Sequence, residues 1–139
     1  MDSRAALWAE RTGARTYTGL NARGAEVAIG PDDAEGVFSP GELMKLGLAA
    51  CNLMSADTVI ARRLGAGFDA VVAIETEKVR QENRYGSAAV EILLDLTSLD
   101  QQGRADLQDV VRRAVERGCT VGRSLDVGLP HTLALTSDA

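Results

Sequence analysis

Apolar residues follow two rhythms along this chain, and the switch between them predicts the elements. In ARTYTGLNARGAEVAIG they alternate with polar ones around a turn at Asn21–Gly24. That predicts a β-hairpin with strands near Arg15–Leu20 and Ala25–Ile29. PDDAEGVF is a run of turn residues, a loop. In SPGELMKLGLAACNLMSADTVIARRLG, Ser39 to Gly65, the rhythm becomes that of one long helix. Alternation returns in FDAVVAIETEKVRQ and AAVEILLDLTSL, two strands joined by the polar turn ENRYGS. Over roughly Arg104–Arg117 the residues Leu107, Val110, Val111, Ala114 and Val115 recur at the spacing of one buried helix face. Asp109 and Arg113 form an i, i+4 pair opposite that face, worth about 0.3 kcal/mol, and Gly118 is placed to end the helix as a C-terminal glycine. PHTLALTS is expected to be a last strand. The order ββ–α–ββ–α–β predicts an α+β fold, a long central helix packed on antiparallel sheet, as one domain over residues 1–139.

The long helix has well-marked ends. Ser39 suits the N-cap, Pro40 the first helical position, and Glu42 closes a capping box with Ser39. Arg62 and Arg63 suit the last turn and Gly65 the C-terminal stop. At about 100° per residue, Met44, Gly47, Leu48, Met54, Ser55 and Thr58 share the face of Cys51. Leu43, Leu46, Ala50, Leu53, Ile60 and Leu64 take the other side. Apolar residues on both sides need cover on both sides. One small sheet supplies one cover, and a second subunit is expected to supply the other.

Composition narrows the function classes. The 139 residues are 45% hydrophobic and 25% charged, as in an ordinary globular protein, and the net charge is −5. A general nucleic-acid binder would need a basic face instead. MDSRAALWAERTG lacks the continuous apolar stretch of a secretory signal, and no unbroken run of eighteen apolar residues suggests a membrane span. Two distant cysteines do not make a secreted disulfide framework, so the cytoplasm is the expected compartment.

Those cysteines are the candidate chemistry. Cys51 sits in mid-helix behind two alanines, and its plainest reading is a small buried hydrophobe. Cys119 follows Gly118 and has the same plain reading as a gap-filler. Yet TVGRSL after Cys119 suits a short helical turn, whose free N–H groups favour a thiolate. If Cys51 reacts, a nearby arginine is the expected activator. A free thiol is only a few per cent ionised at neutral pH, and lowering its pKa by about two takes roughly 2.7 kcal/mol. One partly buried guanidinium suffices for that. The single histidine, His131, falls in the expected last strand, where an ordinary strand role is the simplest account. Two cysteines and one histidine are a poor zinc set, and neither GLNARGAE nor GRSLDVG matches a phosphate-cradling glycine loop.

SPGELMKLGLAAC together with RAVERGCTVGRSL resembles the OsmC/Ohr family of thiol-dependent peroxidases, and the resemblance runs over nearly the whole chain, from RTGARTYTG through the long helix to the expected last strand. It implies an intertwined α+β homodimer with its active sites at the subunit interface, and reduction of organic hydroperoxides to alcohols. It implies Cys51 as peroxidatic cysteine, Cys119 as resolving cysteine, and a Cys51–Cys119 disulfide between turnovers. Arg15 resembles the arginine that holds the thiolate. No bound cofactor is implied; the reductant is an external dithiol, lipoyl-bearing or small. Well-known members carry a glutamate directly after the motif's proline, where this chain has Gly41. Glu42 lies one position on, turned by about 100°, and is a weak candidate for the arginine's partner because the capping box already accounts for it. The competing expectation is a non-enzymatic dimer of the same fold that binds a small apolar ligand, with cysteines that only pack.

Overall fold

The computed structural model describes residues 6–137. The chain divides into two compact units, Met1–Leu46 and Gly47–Ala139, with one helix running from the first into the second.

The first unit is a three-stranded antiparallel sheet of β1 (Leu7–Gly13), β2 (Thr16–Asn21) and β3 (Glu26–Ile29), with β2 in the centre. The β2–β3 hairpin is the expected one. Its turn is an Asn turn: the Asn21 side-chain oxygen accepts from the backbone N–H of Arg23 at 2.9 Å and of Ala25 at 3.0 Å. Gly24 then takes φ 95°, which a residue with a Cβ resists. Gly19 is buried in β2, where a Cβ would stand 3.0 Å from Val27 Cγ1 across the ladder. β1 was not expected. It pairs with β2 through Trp8↔Leu20 and Arg11↔Tyr17, as an edge strand on which most side chains are exposed. Arg15 is not a strand residue but lies in the β1–β2 turn, at φ 59°. After β3 the chain doubles back: Phe38 N–H donates to the Ala28 carbonyl at 2.9 Å and Gly30 N–H to that of Phe38 at 3.0 Å. This delivers Ser39 to the start of α1 (Pro40–Leu64). The capping box is formed, with Glu42 N–H donating to Ser39 Oγ at 3.1 Å and Ser39 N–H to Glu42 Oε1 at 2.8 Å. Arg62 and Arg63 occupy the last turn, and Gly65 stops the helix at φ 97°.

The second unit pairs β4 (Ala70–Val79) with β5 (Arg84–Leu94), antiparallel in the register Val72↔Ile92 and Ile74↔Val90. The turn is shorter than ENRYGS. A 3-10 turn over Arg80–Glu82 ends at Asn83, left-handed at φ 49°, and Arg84 to Ser87 join β5. α2 (Gln101–Gly118) begins three residues before the expected start because Asp100 caps it, accepting from Gly103 N–H at 2.7 Å. Its expected face is the inner one. Leu107 is buried with Ala56 and Ile60 of α1, and Val110, Val111 and Val115 pack on that cluster. The Asp109–Arg113 pair is present at 2.9 Å.

Two expectations at the C-terminal end are corrected. Gly118 is the last helical residue rather than a left-handed cap; the chain breaks at Cys119, in extended geometry, and resumes as α3 (Thr120–Val127). PHTLALTS is not a strand. Residues 128–137 carry no regular structure, and Leu133 and Leu135 are fully exposed, because among the described residues neither sheet takes this segment into its ladder.

α1 also qualifies the argument from unbroken apolar runs. It is 25 residues long with a mean hydropathy of 1.3 in its most apolar stretch, long and apolar enough by length and composition to cross a membrane. Here its buried residues Ala56 and Ile60 pack against α2 instead.

Candidate functional site

The break between α2 and α3 is what builds the site. Cys119 is the N-cap of α3, and its sulfur accepts from the backbone N–H of Gly122 at 3.3 Å, as an N-cap oxygen would. Gly122 leaves room for that sulfur: a Cβ there would stand 3.2 Å from Cys119 Sγ and 3.6 Å from Leu48 of α1. Gly118 faces Ser55 of α1, with a Cβ position 3.7 Å from its side chain. Gly122 is thus the tight position at the α2–α3 corner, while at Gly118 a side chain would make only ordinary contact with Ser55 of α1, one turn from Cys51.

Cys51 is half-buried and Cys119 is 1% exposed; both are free thiols. The pKa of Cys51 lies below the ordinary thiol value, chiefly because its sulfur accepts from the backbone N–H of Val121, with Cys119 the next donor and Thr120 N–H a smaller one; partial burial opposes them. The Ser55 hydroxyl also favours the thiolate, but Ser55 Oγ donates to the Cys51 carbonyl at 2.7 Å, so its help to the sulfur is secondary. The first turn of α3 therefore serves both sulfurs, Cys119 as its cap and Cys51 by favouring its ionised form. Asn52 completes the group, with its Nδ2 donating to Cys119 Sγ at 3.2 Å. A half-buried thiol of lowered pKa beside a second, buried thiol is a pair chemically able to form a disulfide.

Of the four candidate residues, the structure brings Cys51 and Cys119 together in the second unit. Arg15 is in the first unit, exposed in its left-handed turn, and Glu42 is there too, in the capping box. The free N–H groups expected in TVGRSL are present, and they, rather than an arginine, head the causes of the Cys51 shift. Asn52 and Ser55 were not anticipated. Ser55 carried a signal, one turn after Cys51 on its face; Asn52 carried none beyond standing next to it.

Comparison with known proteins agrees with this architecture. An uncharacterised protein of Mycobacterium tuberculosis is 47% identical over 122 residues, 88% of this chain and 89% of its own. Among solved structures, a protein of Psychrobacter arcticus described as a putative osmotic stress induced and detoxification response protein matches with TM-score 0.67, at 18% identity, over 89% of this chain and 90% of its own. The organic hydroperoxide resistance protein OhrB of Bacillus subtilis matches with TM-score 0.53, also at 18% identity, over 88% and 92%. These two share the α+β fold of this chain. The model of the OsmC-like protein family matches residues 30–134, a span that holds Glu42, Cys51 and Cys119 but not Arg15, and the chain belongs to that family.

Proposed function

We propose that this chain is a cysteine-based peroxidase that reduces organic hydroperoxides. The observation that carries it is the shared turn: Cys119 caps α3 with its sulfur, and the Val121 and Thr120 N–H groups of that same turn help lower the Cys51 pKa. The Cys51 thiolate attacks one peroxide oxygen, the O–O bond breaks, and the other oxygen takes a proton and leaves as the alcohol. Cys51 is left as a sulfenic acid. Cys119 attacks that sulfur, the S–O bond breaks, and hydroxide departs with the Cys119 proton as water. An external dithiol, lipoyl-bearing or small, reduces the Cys51–Cys119 disulfide by exchange. Arg15 assists by holding the thiolate and the peroxide, and the working unit is a cytoplasmic homodimer. Membership of a family whose fold OhrB shares supports the substrate class.

A second function is favoured by one observation, a cavity of about 720 Å³ between α2 and β5, with Val90, Ile92, Leu96 and Val111 in its walls. Glu91, Arg104, Arg112 and Glu116 also border it, so its size and lining suit a small ligand with an apolar body and a polar end. Free thiols titrated before and after one equivalent of cumene hydroperoxide separate the two. Loss of two thiols per chain within seconds is the peroxidase result. Retention of both, with binding of an apolar dye, transfers the assignment to the ligand binder.

A further inference from the structure

Asn52 takes no part in the cycle above, yet its amide is committed to a sulfur. Nδ2 lies 3.2 Å from Cys119 Sγ, and Gly122 N–H reaches the same atom at 3.3 Å from α3. Two N–H groups from different elements thus converge on a thiol that is 1% exposed. Sulfur is a weak acceptor, and a half-buried amide serving only the fold would be better satisfied by a carbonyl oxygen or water. Accepting twice also orients Cys119. Its own S–H is left to point away from both donors, and Cys119 is among the groups that lower the Cys51 pKa. Asn52 follows Cys51 directly on α1, so one helix turn presents the first sulfur to α3 and the amide to the second.

We infer that Asn52 is the positioning residue of the resolving step, holding Cys119 Sγ toward Cys51 and stabilising the negative charge that sulfur carries once its proton leaves and before its bond to Cys51 forms. This rests on the peroxidase assignment and deepens it. In that step the Cys119 sulfur bonds to the Cys51 sulfur, the Cys51 S–O bond breaks, and the Cys119 proton leaves with the hydroxide as water. The amide N–H stabilises that charge only while the sulfur is unbonded. Once the disulfide forms, the sulfur is neutral and the bond loses most of its worth. Asn52 therefore speeds disulfide formation and, by favouring the reduced pair, makes the disulfide easier to reduce.

The two effects carry opposite signs, and that separates positioning from mere packing. With the full chain and cumene hydroperoxide, Asn52→Leu is expected to leave the rate of Cys51 sulfenic acid formation, trapped with dimedone, within about twofold of wild type. Disulfide formation should slow about tenfold, the worth of one hydrogen bond to a charging sulfur. Over-oxidation of Cys51 should then appear at about tenfold lower peroxide. Against a dithiol redox buffer the same variant should hold its disulfide about tenfold more tightly, some 30 mV more reducing. Asn52→Ala, which removes the donor without adding a charge, should move both quantities the same way and covers the case in which leucine disrupts folding. Wild-type resolution and potential in both variants would overturn the inference and leave the peroxidase standing. A slowed first step, or a disulfide that is weaker rather than tighter, would overturn it too, since either makes Asn52 a general support of the site. If wild type forms no disulfide at all, the peroxidase assignment itself fails and this step with it.

Discussion

At the scale of single residues, backbone amides lead the causes of the lowered Cys51 pKa. Val121 N–H is the first cause of the lowered Cys51 pKa, and a proline there deletes it. Proline is tolerated in the first turn of a helix, where N–H groups have no carbonyl within the helix to bond. Thr120→Pro is the milder companion, because Cys119 before it already has extended geometry. A group with a depressed pKa stays ionised to lower pH, so the alkylation rate of wild-type Cys51 should reach half its plateau below the ordinary thiol range. Val121→Pro should move that midpoint up, toward the ordinary value, and Thr120→Pro should move it less. Iodoacetamide kinetics across pH measure both; coincident profiles for all three proteins would return the activation to Arg15. The cysteines themselves should behave unequally. Cys51→Ser should consume no peroxide, while Cys119→Ser should react once and then accumulate sulfinic acid on Cys51, read by mass spectrometry as two added oxygens.

At the scale of elements, legibility follows how local the determining forces are. Both ends of α1 were readable because caps are set by neighbours in sequence: Ser39 with Glu42 at one end, Gly65 at the other. This assigns Glu42 to the helix start. Glu42→Gln should retain the box and change stability by less than about 0.5 kcal/mol, whereas Ser39→Ala should cost about 1 kcal/mol in chemical denaturation. β1 was not readable. Glu10 and Arg11 interrupt its apolar pattern, most of it is exposed, and its hydrogen bonds come from β2, outside its own stretch. PHTLALTS fails the other way: alternation shows what a strand would bury, not which edge would accept it, and residues 128–137 form no ladder here. The cysteine pair was legible through resemblance, since two spaced motifs coincide. Asn52 was not, because a polar residue in mid-helix announces nothing until α3 is seen to bring Cys119 against it.

At the scale of the whole molecule, the relevant quantity is apolar surface left to water. Met54 on α1 is 76% exposed and Val71 on β4 is 62% exposed, while Leu133 and Leu135 stand clear of any packing. Singly such residues are ordinary, but on a helix apolar on both sides they are what a second subunit would cover. The expected assembly is a homodimer with an interface of the obligate class, above roughly 2,000 Å². Met54 offers a clean test because the chain's own core does not depend on it. Met54→Glu should cost the isolated fold little, since the side chain is mostly in water already. In a dimer that buries this face, the same carboxylate must be desolvated without a partner, a penalty of several kcal/mol. Sedimentation equilibrium at micromolar concentration should therefore give a dimer for wild type and a monomer, still folded by circular dichroism, for Met54→Glu. Should the variant remain dimeric, the cover lies on another face of α1. A wild type that sediments as a monomer would remove the interface altogether, and Cys51 would then have to work from a surface open to water, where hydration competes with the α3 amides for its charge.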